Sequence, residues 1–403
     1  MGMVLTRRAF VGGAIAMGSA PAWSREPDRD ISFAQDFDEM WGTLASRYCF
    51  FGEKRTDWRK VRQIYRPRAI AAPSVDDFAT VLNAALAELY DAHTSLRNGP
   101  NGIPRVPPFD LIVARDPDGL RVTAVQPDSA ATAAGIAIGD VVTGIEGRAV
   151  ADAVRDAALL CLAGSDPEAD RFVINRVIAG RRATPRRLTT RRLGTVDLPL
   201  RMRDPLPDIS HRRLPDGVGY VAIRSFGEEA TIVAFDAALD DLRDAPALII
   251  DVRGNGGGDT AVARPIMGRF ITAEKPYAFM RRRSGAGLGP RWTESVEPRG
   301  PFTYAAPVVV LCDRWSASMA EGFPMGMRGL GRARIVGTPM MGLGAAVFPL
   351  RLDRTGLDLQ YSAEPVYDVR DQPRWHLRPD VELADGADIL AAGIAEARRL
   401  IAG

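Results

Sequence analysis

The spacing of apolar positions changes along the chain, and each change marks a different kind of structure. Between Ile31 and Leu96 apolar residues recur at helical spacing. "FAQDFDEMWGTLASRYCFF" puts Phe33, Phe37, Trp41, Leu44 and Tyr48 on one face. "SVDDFATVLNAALAELYDAHTSL" opens on Ser74 as a helix cap with Asp77 three residues on, then carries Phe78, Leu82, Leu86 and Leu89 inward. These large side chains read as core. The Pro/Gly-rich stretch "NGPNGIPRVPPF" closes this helical segment at about residue 100.

The pattern then turns β-rich. "DGLRVTAVQPDSAATAAGIAIGDVVTGIEGRAV" reads as two strands, a short helix over Ala130–Ala134 stopped by Gly135, a turn at Gly139-Asp140 and a second strand pair. "RVIAGRRATPRRLTTRRL" supplies the last strands. The order strand, "PDSAATAAGI" helix, "GDVVTGIEG" resembles a PDZ domain over residues 105–190. After "DPLPDI" strands and helices alternate. "GVGYVAIRSF" is a strand and "EATIVAFDAALDDLRD" an amphipathic helix. Leu248–Val252 is a buried strand running into glycines. "APVVVLCDRWSASMAEGF" is a strand, turn and helix, and "RARIVGTPMMGLG" another strand with a glycine turn. This alternation predicts an α/β layer with its site at the strand C-termini.

Composition narrows the function classes. The chain has 403 residues, enough for two or three domains, and the apolar and charged fractions of a globular protein. A net charge of +2 gives no electrostatic footprint for nucleic acid or a membrane surface. The positive charge is nearly all arginine; the only lysines are Lys54, Lys60 and Lys275. Cys49, Cys161 and Cys312 are far apart and follow no metal or disulfide spacing. At the N-terminus, Arg7-Arg8 precedes a mild apolar stretch ending in Ala20-Pro21-Ala22. This resembles a twin-arginine export signal over residues 1–22, too short and glycine-rich for a stable membrane span.

Two motifs carry chemistry. In "DRWSASMAEGF" small residues surround Ser316 and Ser318 at a strand-to-helix turn, where a nucleophile's hydroxyl can be reached. Ser316 or Ser318 with Glu321 also fits a capping box. In "LIIDVRGNGGG" the glycines at 254 and 256–258 free backbone N–H groups at a strand end. No Walker lysine follows and the G-x-G-x-x-G spacing is absent, so an oxyanion hole is the better use of that turn than a phosphate cradle.

"LYDAHTSL", the PDZ-like unit, "LIIDVRGNGGG" and "SASMAE" together, in this order, resemble the tail-specific, or C-terminal-processing, serine proteases, a group that includes the tricorn core. The resemblance covers residues 31–390. It implies a fold of class α/β: a helical N-terminal segment (31–100), a PDZ-like β-rich domain (105–190) and an α/β, crotonase-like protease core (205–395). It places the nucleophile at Ser318 and the oxyanion donors at Met319 N–H and the glycine turn, Gly256 or Gly257, and gives Glu321 a structural role. No metal or cofactor is implied. Peptides or proteins are the implied substrates, and the implied location is periplasmic or extracellular.

One departure stands out. Many members use a Ser-Lys dyad, and Leu343 in "TPMMGLGAAV" occupies the lysine position, with Val347 near the place of a following glutamine. The tricorn-like branch uses a histidine base, matched by His93 in "DAHT"; lysine-using relatives carry a similar D-x-H-T in which the histidine is structural. Ala92 stands where that branch has a serine. Asp371 lies near the family's orienting acid, with Asp368 and Glu364 as rivals. His211 and His376 are the other histidines. The resulting expectation is acyl transfer from Ser318 with His93 as base, and activity rising between about pH 6 and 8 for an imidazole near its usual ~6.5. The rival class is a non-catalytic protein that binds peptide or hydrophobic ligand on the same fold. For the leader, the expected outcome is an exported protein whose intact mass lacks residues 1–22 and begins at Trp23. Full-length cytoplasmic protein indifferent to Arg7→Lys/Arg8→Lys counts against it.

Overall fold

A computed structural model describes residues 29–200 and 206–403; the leader expected over 1–22 lies outside them. Three helices open the described residues: α1 (Arg29–Arg47), α2 (Trp58–Ile70) and α3 (Val75–Ala87). Phe33, Phe37, Leu44 and Tyr48 of the expected face are buried. Trp41 stays half-exposed, because its indole donates to Trp58 C=O at 2.7 Å while the Trp58 indole donates back to Trp41 C=O at 3.0 Å. Ser74 caps α3 by accepting Asp77 N–H, as its position predicts. Asp57 does the same for α2 through Arg59 and Lys60 N–H.

These helices do not enclose a core by themselves. They share one with Ala345, Leu352, Leu357, Leu359, Tyr361 and Ala363, from the far end of the sequence. The short strand Ser95–Leu96 pairs antiparallel with the long strand Asp358–Tyr367, which also pairs with Ala345–Arg351 and Lys275–Met280. The segment 31–100 is therefore built onto the C-terminal region.

The β-rich unit has strands in the order Leu111–Asp116, Gly119–Val125, Val141–Ile145, Arg186–Thr190, Gly194–Leu198, all antiparallel neighbours. It carries α4 (Ala130–Ala133), α5 (Val150–Asp156) and α6 (Pro167–Ala179). Strand Leu111–Asp116 is an edge strand. Asn175 of α6 covers that edge, accepting Val113 N–H at 2.9 Å and donating to Val113 C=O at 3.2 Å. At the strand's start Arg186 holds both oxygens of Asp110 at 2.5 and 2.6 Å, and both side chains are buried.

The third unit is a six-stranded sheet in the order Val381–Glu382, Ala333–Gly337, Val308–Cys312, Leu248–Asp251, Gly219–Ile223, Ile209–Arg213. Its pairs are parallel except the last. One face packs on α7 (Ala230–Asp241), α8 (Thr260–Met267) and α9 (Met319–Gly329) through Phe235, Ile266 and Phe323. The other packs on α10 (Ile389–Ala402). Ile250 and Val310 face the first set, while Ile249, Val309 and Leu311 face the second. This two-sided burial explains the unbroken apolar runs "LII" and "VVVL". Ile250 pairs with Val310 and Val310 with Ile335, so the three central strands end level at one edge.

The Asp110–Arg186 pair yields a stability prediction. Asp110→Ala leaves a guanidinium buried without its counter-charge, which costs about 3–5 kcal/mol. The urea transition of the β-rich unit, which holds no tyrosine or tryptophan and is therefore followed by far-UV circular dichroism, should move to clearly lower denaturant. A shift under about 1 kcal/mol would show that the pair is dispensable.

Candidate active site

Three turns leave the level strand ends and are sewn together by backbone bonds. The glycine turn (252–258) follows Leu248–Asp251, the serine turn (313–318) follows Val308–Cys312, and a third (338–344) follows Ala333–Gly337. Ser316 is fully buried and acts as a tie: its hydroxyl donates to Val252 C=O at 2.8 Å and accepts Asp313 N–H at 3.0 Å. Its C=O accepts Met341 N–H at 3.1 Å, and Ala317 N–H donates to Asn255 C=O at 3.0 Å. Of the two serines in the motif, Ser316 is structural.

Ser318 differs on every count. From Trp315 to Met327 it alone is not buried. Its backbone sits at φ 55°, ψ −114°, a conformation a residue with a Cβ adopts only when its surroundings impose it. It is the N-cap of α9, and its N–H donates to Glu321 Oε1 at 2.9 Å. The capping and nucleophile interpretations of the motif therefore hold together: Glu321 secures the turn while the serine remains reachable.

The glycine turn abuts this residue. A Cβ on Gly257 would lie 2.8 Å from Ser318 Cβ, 2.8 Å from Ala317 O and 3.0 Å from Met319 N, and its φ of 105° also calls for glycine. Met319 begins α9, so its N–H has no intrahelical acceptor. Gly256 N–H has no partner among the described residues. The N–H of Gly257, by contrast, is engaged with Asn255 Oδ1 at 2.7 Å. Of the three sequence-predicted donors, Met319 and Gly256 present unengaged N–H groups, and Gly257 supplies close approach.

Glu321 joins the third turn to the second. Its carboxylate is buried and takes Ser318 N–H and Leu343 N–H on Oε1 and Gly342 N–H on Oε2. Burial raises its pKa, and Arg374 first, then these N–H groups, offset that rise only in part. Arg374 is itself buried, donating to Leu343 C=O at 2.6 Å and Ala345 C=O at 3.1 Å. Leu343 is thus held by its backbone on both sides.

His93 lies in the turn after α3, 7 % exposed. Its N–H donates to Asp91 Oδ1 at 3.0 Å and its C=O accepts Gln360 Nε2 at 3.1 Å. Asp91 Oδ2 accepts the hydroxyls of Thr94 (2.7 Å) and Ser362 (2.8 Å). The ring's Nδ1 is buried without a partner. Burial lowers its pKa to about 4; Arg374 pushes the same way and Asp91 opposes. No hydrogen bond joins His93 to Ser318. Tyr90, Asp91 and Ala92 of the His93 turn and Glu321, Gly342 and Leu343 of the serine side line one cavity of about 760 Å³, whose remaining wall comes partly from the β-rich unit.

The carboxylates expected to orient His93 are elsewhere. Asp371 is exposed, between Arg291 at 3.4 Å and Arg281 at 3.9 Å. Asp368 closes its own turn by accepting Arg370 and Gln372 N–H, and Glu364 binds Arg282. The carboxylate beside His93 is Asp91, two residues upstream in the same motif. His211 is half-exposed and pairs with Asp241 at 3.0 Å, away from these turns. His376, exposed, lines the cavity. The one lysine lining it, Lys54, binds Glu168 at 3.2 Å. Sequence reasoning passed over Asn255 and Arg374; a buried amide in a glycine cluster was the available signal for the first, and nothing local marked the second.

Known proteins share these features. Residues 217–383 match Peptidase family S41 and residues 30–87 the Tricorn protease C1 domain. The carboxy-terminal processing protease CtpB of Bacillus subtilis is 33% identical over 129 residues, 32% of this chain and 25% of that protein. Tricorn protease homolog 2 of Streptomyces coelicolor is 26% identical over 313 residues, 70% of this chain and 26% of that one. The chain thus spans about a quarter of the length of the curated relatives it matches. The solved photosystem II D1 C-terminal processing protease shares the fold, with TM-score 0.56 and 18% identity over 92% of this chain and 97% of that one. Residues 217–383 thus resemble peptidase family S41, and the chain is similar in part to the carboxy-terminal processing and tricorn proteases.

Proposed function

We propose that this protein is a serine endopeptidase that cleaves peptide or protein substrates by acyl-enzyme chemistry, with Ser318 as nucleophile and His93 as base. The observation that carries this reading is the strained, accessible Ser318 at the head of α9, with Gly257 against its Cβ and Met319 N–H beside it. Ser318 Oγ attacks the substrate carbonyl carbon as its proton passes to His93, and the π pair moves onto the carbonyl oxygen. Met319 N–H and the glycine turn receive that oxyanion. The C–N bond then breaks, the amine leaves with the proton from His93, and water repeats the sequence on the ester. The mechanism requires His93 and Ser318 to come within hydrogen-bond reach in the substrate complex, where catalytic hydrogen bonds often tighten.

The finer features belong to the same proposal. The β-rich unit acts as a PDZ-like wall of the substrate cavity, and export precedes function. The second reading, a binding protein, draws on Leu343 and on the cavity. It predicts a co-purifying hydrophobic ligand and no labelling of Ser318 by a covalent serine probe.

Ser318→Ala should abolish turnover of casein or a peptide, and His93→Ala should lower it by ~10³ or more, on the scale of a triad member. His93→Ala retaining most of the rate removes the histidine from the mechanism. Gly257→Ala should also abolish turnover while leaving the fold cooperative, because its methyl would fill the space between Ser318 and Met319.

The acid limb is a separate test. A base must be neutral, and His93 protonates as pH falls through about 4. Activity should therefore be lost below about pH 5 and be flat from there to neutrality, rather than rise between 6 and 8. A limb near 6.5 would mean that substrate-free burial of His93 does not persist in the working enzyme.

A further inference from the structure

The glycine turn carries one uncharged polar side chain, and it is wholly buried: Asn255 is 0 % exposed. Its Nδ2 donates to Ile223 C=O at 2.9 Å, at the end of the neighbouring strand Gly219–Ile223. Its Oδ1 accepts Gly257 N–H at 2.7 Å. These partners fix the amide's orientation, since a C=O needs a donor and an N–H an acceptor. Its backbone C=O accepts Ala317 N–H, one residue before Ser318, and its backbone N–H reaches Val252 C=O at 3.2 Å. Asn255 therefore bridges a core strand, the glycine turn and the serine turn. No other side chain among the described residues bonds to the backbone N–H of Gly257.

We propose that Asn255 is a positioning residue for the reaction: its amide sets the separation of the glycine turn from Ser318, so that its loss falls on oxyanion stabilisation and not on peptide binding. The inference rests on the peptidase reading above. The physical reason is the tight fit at Gly257. With three heavy atoms within 3.0 Å of where a Cβ would stand, the glycine turn approaches the serine turn at van der Waals contact, and a shift well under 1 Å changes which N–H groups an oxyanion meets. The side chain touches no reacting atom. It acts through Gly257 and Ala317.

The test compares wild type, Asn255→Ala and Asn255→Asp with an internally quenched peptide substrate and a matching peptide aldehyde. Ser318 Oγ adds to the aldehyde's carbonyl carbon as its proton passes to His93, and the π pair moves onto the carbonyl oxygen, so aldehyde affinity reads the oxyanion hole. Asn255→Ala should lower kcat and aldehyde affinity together, by about 10²-fold, with KM within about threefold. Peptide affinity in the Ser318→Ala background should be unchanged. Asn255→Asp keeps size and the acceptor toward Gly257 but, when ionised, sets a carboxylate oxygen against Ile223 C=O. Protonated, it donates there again. Burial raises such a carboxyl's pKa, so activity relative to wild type should climb as pH falls. A purely structural pin would be rescued by the same protonation, so the two roles are separated by the fall of kcat and aldehyde affinity at unchanged KM. The proposal is overturned if the loss appears in KM, if kcat stays within threefold of wild type, or if the aspartate variant's relative activity is flat with pH. Should Asn255→Ala fail to fold, the isosteric aspartate series decides alone. A wild type that neither cleaves peptide nor binds aldehyde defeats the peptidase reading itself. Turnover and aldehyde binding that survive Asn255→Ala defeat only this inference.

Discussion

The carboxylate of Glu321 is the interaction on which the site depends. It is buried, and burying an isolated carboxylate is costly enough that it survives ionised only when its oxygens are met by donors. Here the donors are the N–H groups of Ser318, Leu343 and Gly342, with the Arg374 guanidinium adding its field. Those three N–H groups lie in two different turns, so one side chain fixes both. It also holds Ser318 in a backbone conformation that would otherwise relax, because leaving it would strip a donor from a buried charge. The reachable hydroxyl and the close glycine turn follow from that constraint.

The His93 turn comes from the opposite end of the sequence, and its support is built differently. Asp91 takes the backbone N–H of His93 and the hydroxyls of Thr94 and Ser362, the last from strand Asp358–Tyr367. The His93 turn is thus tied to the C-terminal strand, as Ser95–Leu96 is by pairing with it. This explains why the helical segment shares its core with residues 345–363: the packing that buries Phe37, Leu44 and Tyr361 is what holds the His93 turn in register with the rest.

Legibility in the sequence followed the range of the interaction. Helical periodicity exposed the buried face Phe33, Phe37, Leu44 and Tyr48, and Ser74 was recognisable as a cap because its acceptor role is local. The β-branched runs at Leu248–Val252 and Val308–Leu311 announced a sheet buried on both faces, and the glycines after one and small residues after the other marked its functional edge. Long-range partners were invisible. Asp371 sits near the right place in the sequence, yet Arg281 and Arg291 claim it, and no pattern along the sequence encodes that pairing. Trp41 fits the helical face but is drawn to the rim by a reciprocal bond with Trp58. Asn255 and Arg374 take their roles from backbone carbonyls that only the folded sheet and third turn bring to them.

The turn that carries Leu343 then acquires a physical meaning. A cation does remain beside that turn, Arg374, but a guanidinium does not give up its proton in proteins and cannot act as a base. Its bonds to Leu343 and Ala345 C=O show what it does instead: it fixes the turn that Glu321 grips from the other side. Its charge also bears on His93, disfavouring the imidazolium that burial already disfavours, while Asp91 acts in the opposite sense. The consequence is a neutral imidazole across the whole range above about pH 5. An imidazole of this kind binds a proton more weakly than one with an ordinary pKa, but within that range it is in the form that can accept one. Arg374 thus supplies structure to the third turn and a field at His93.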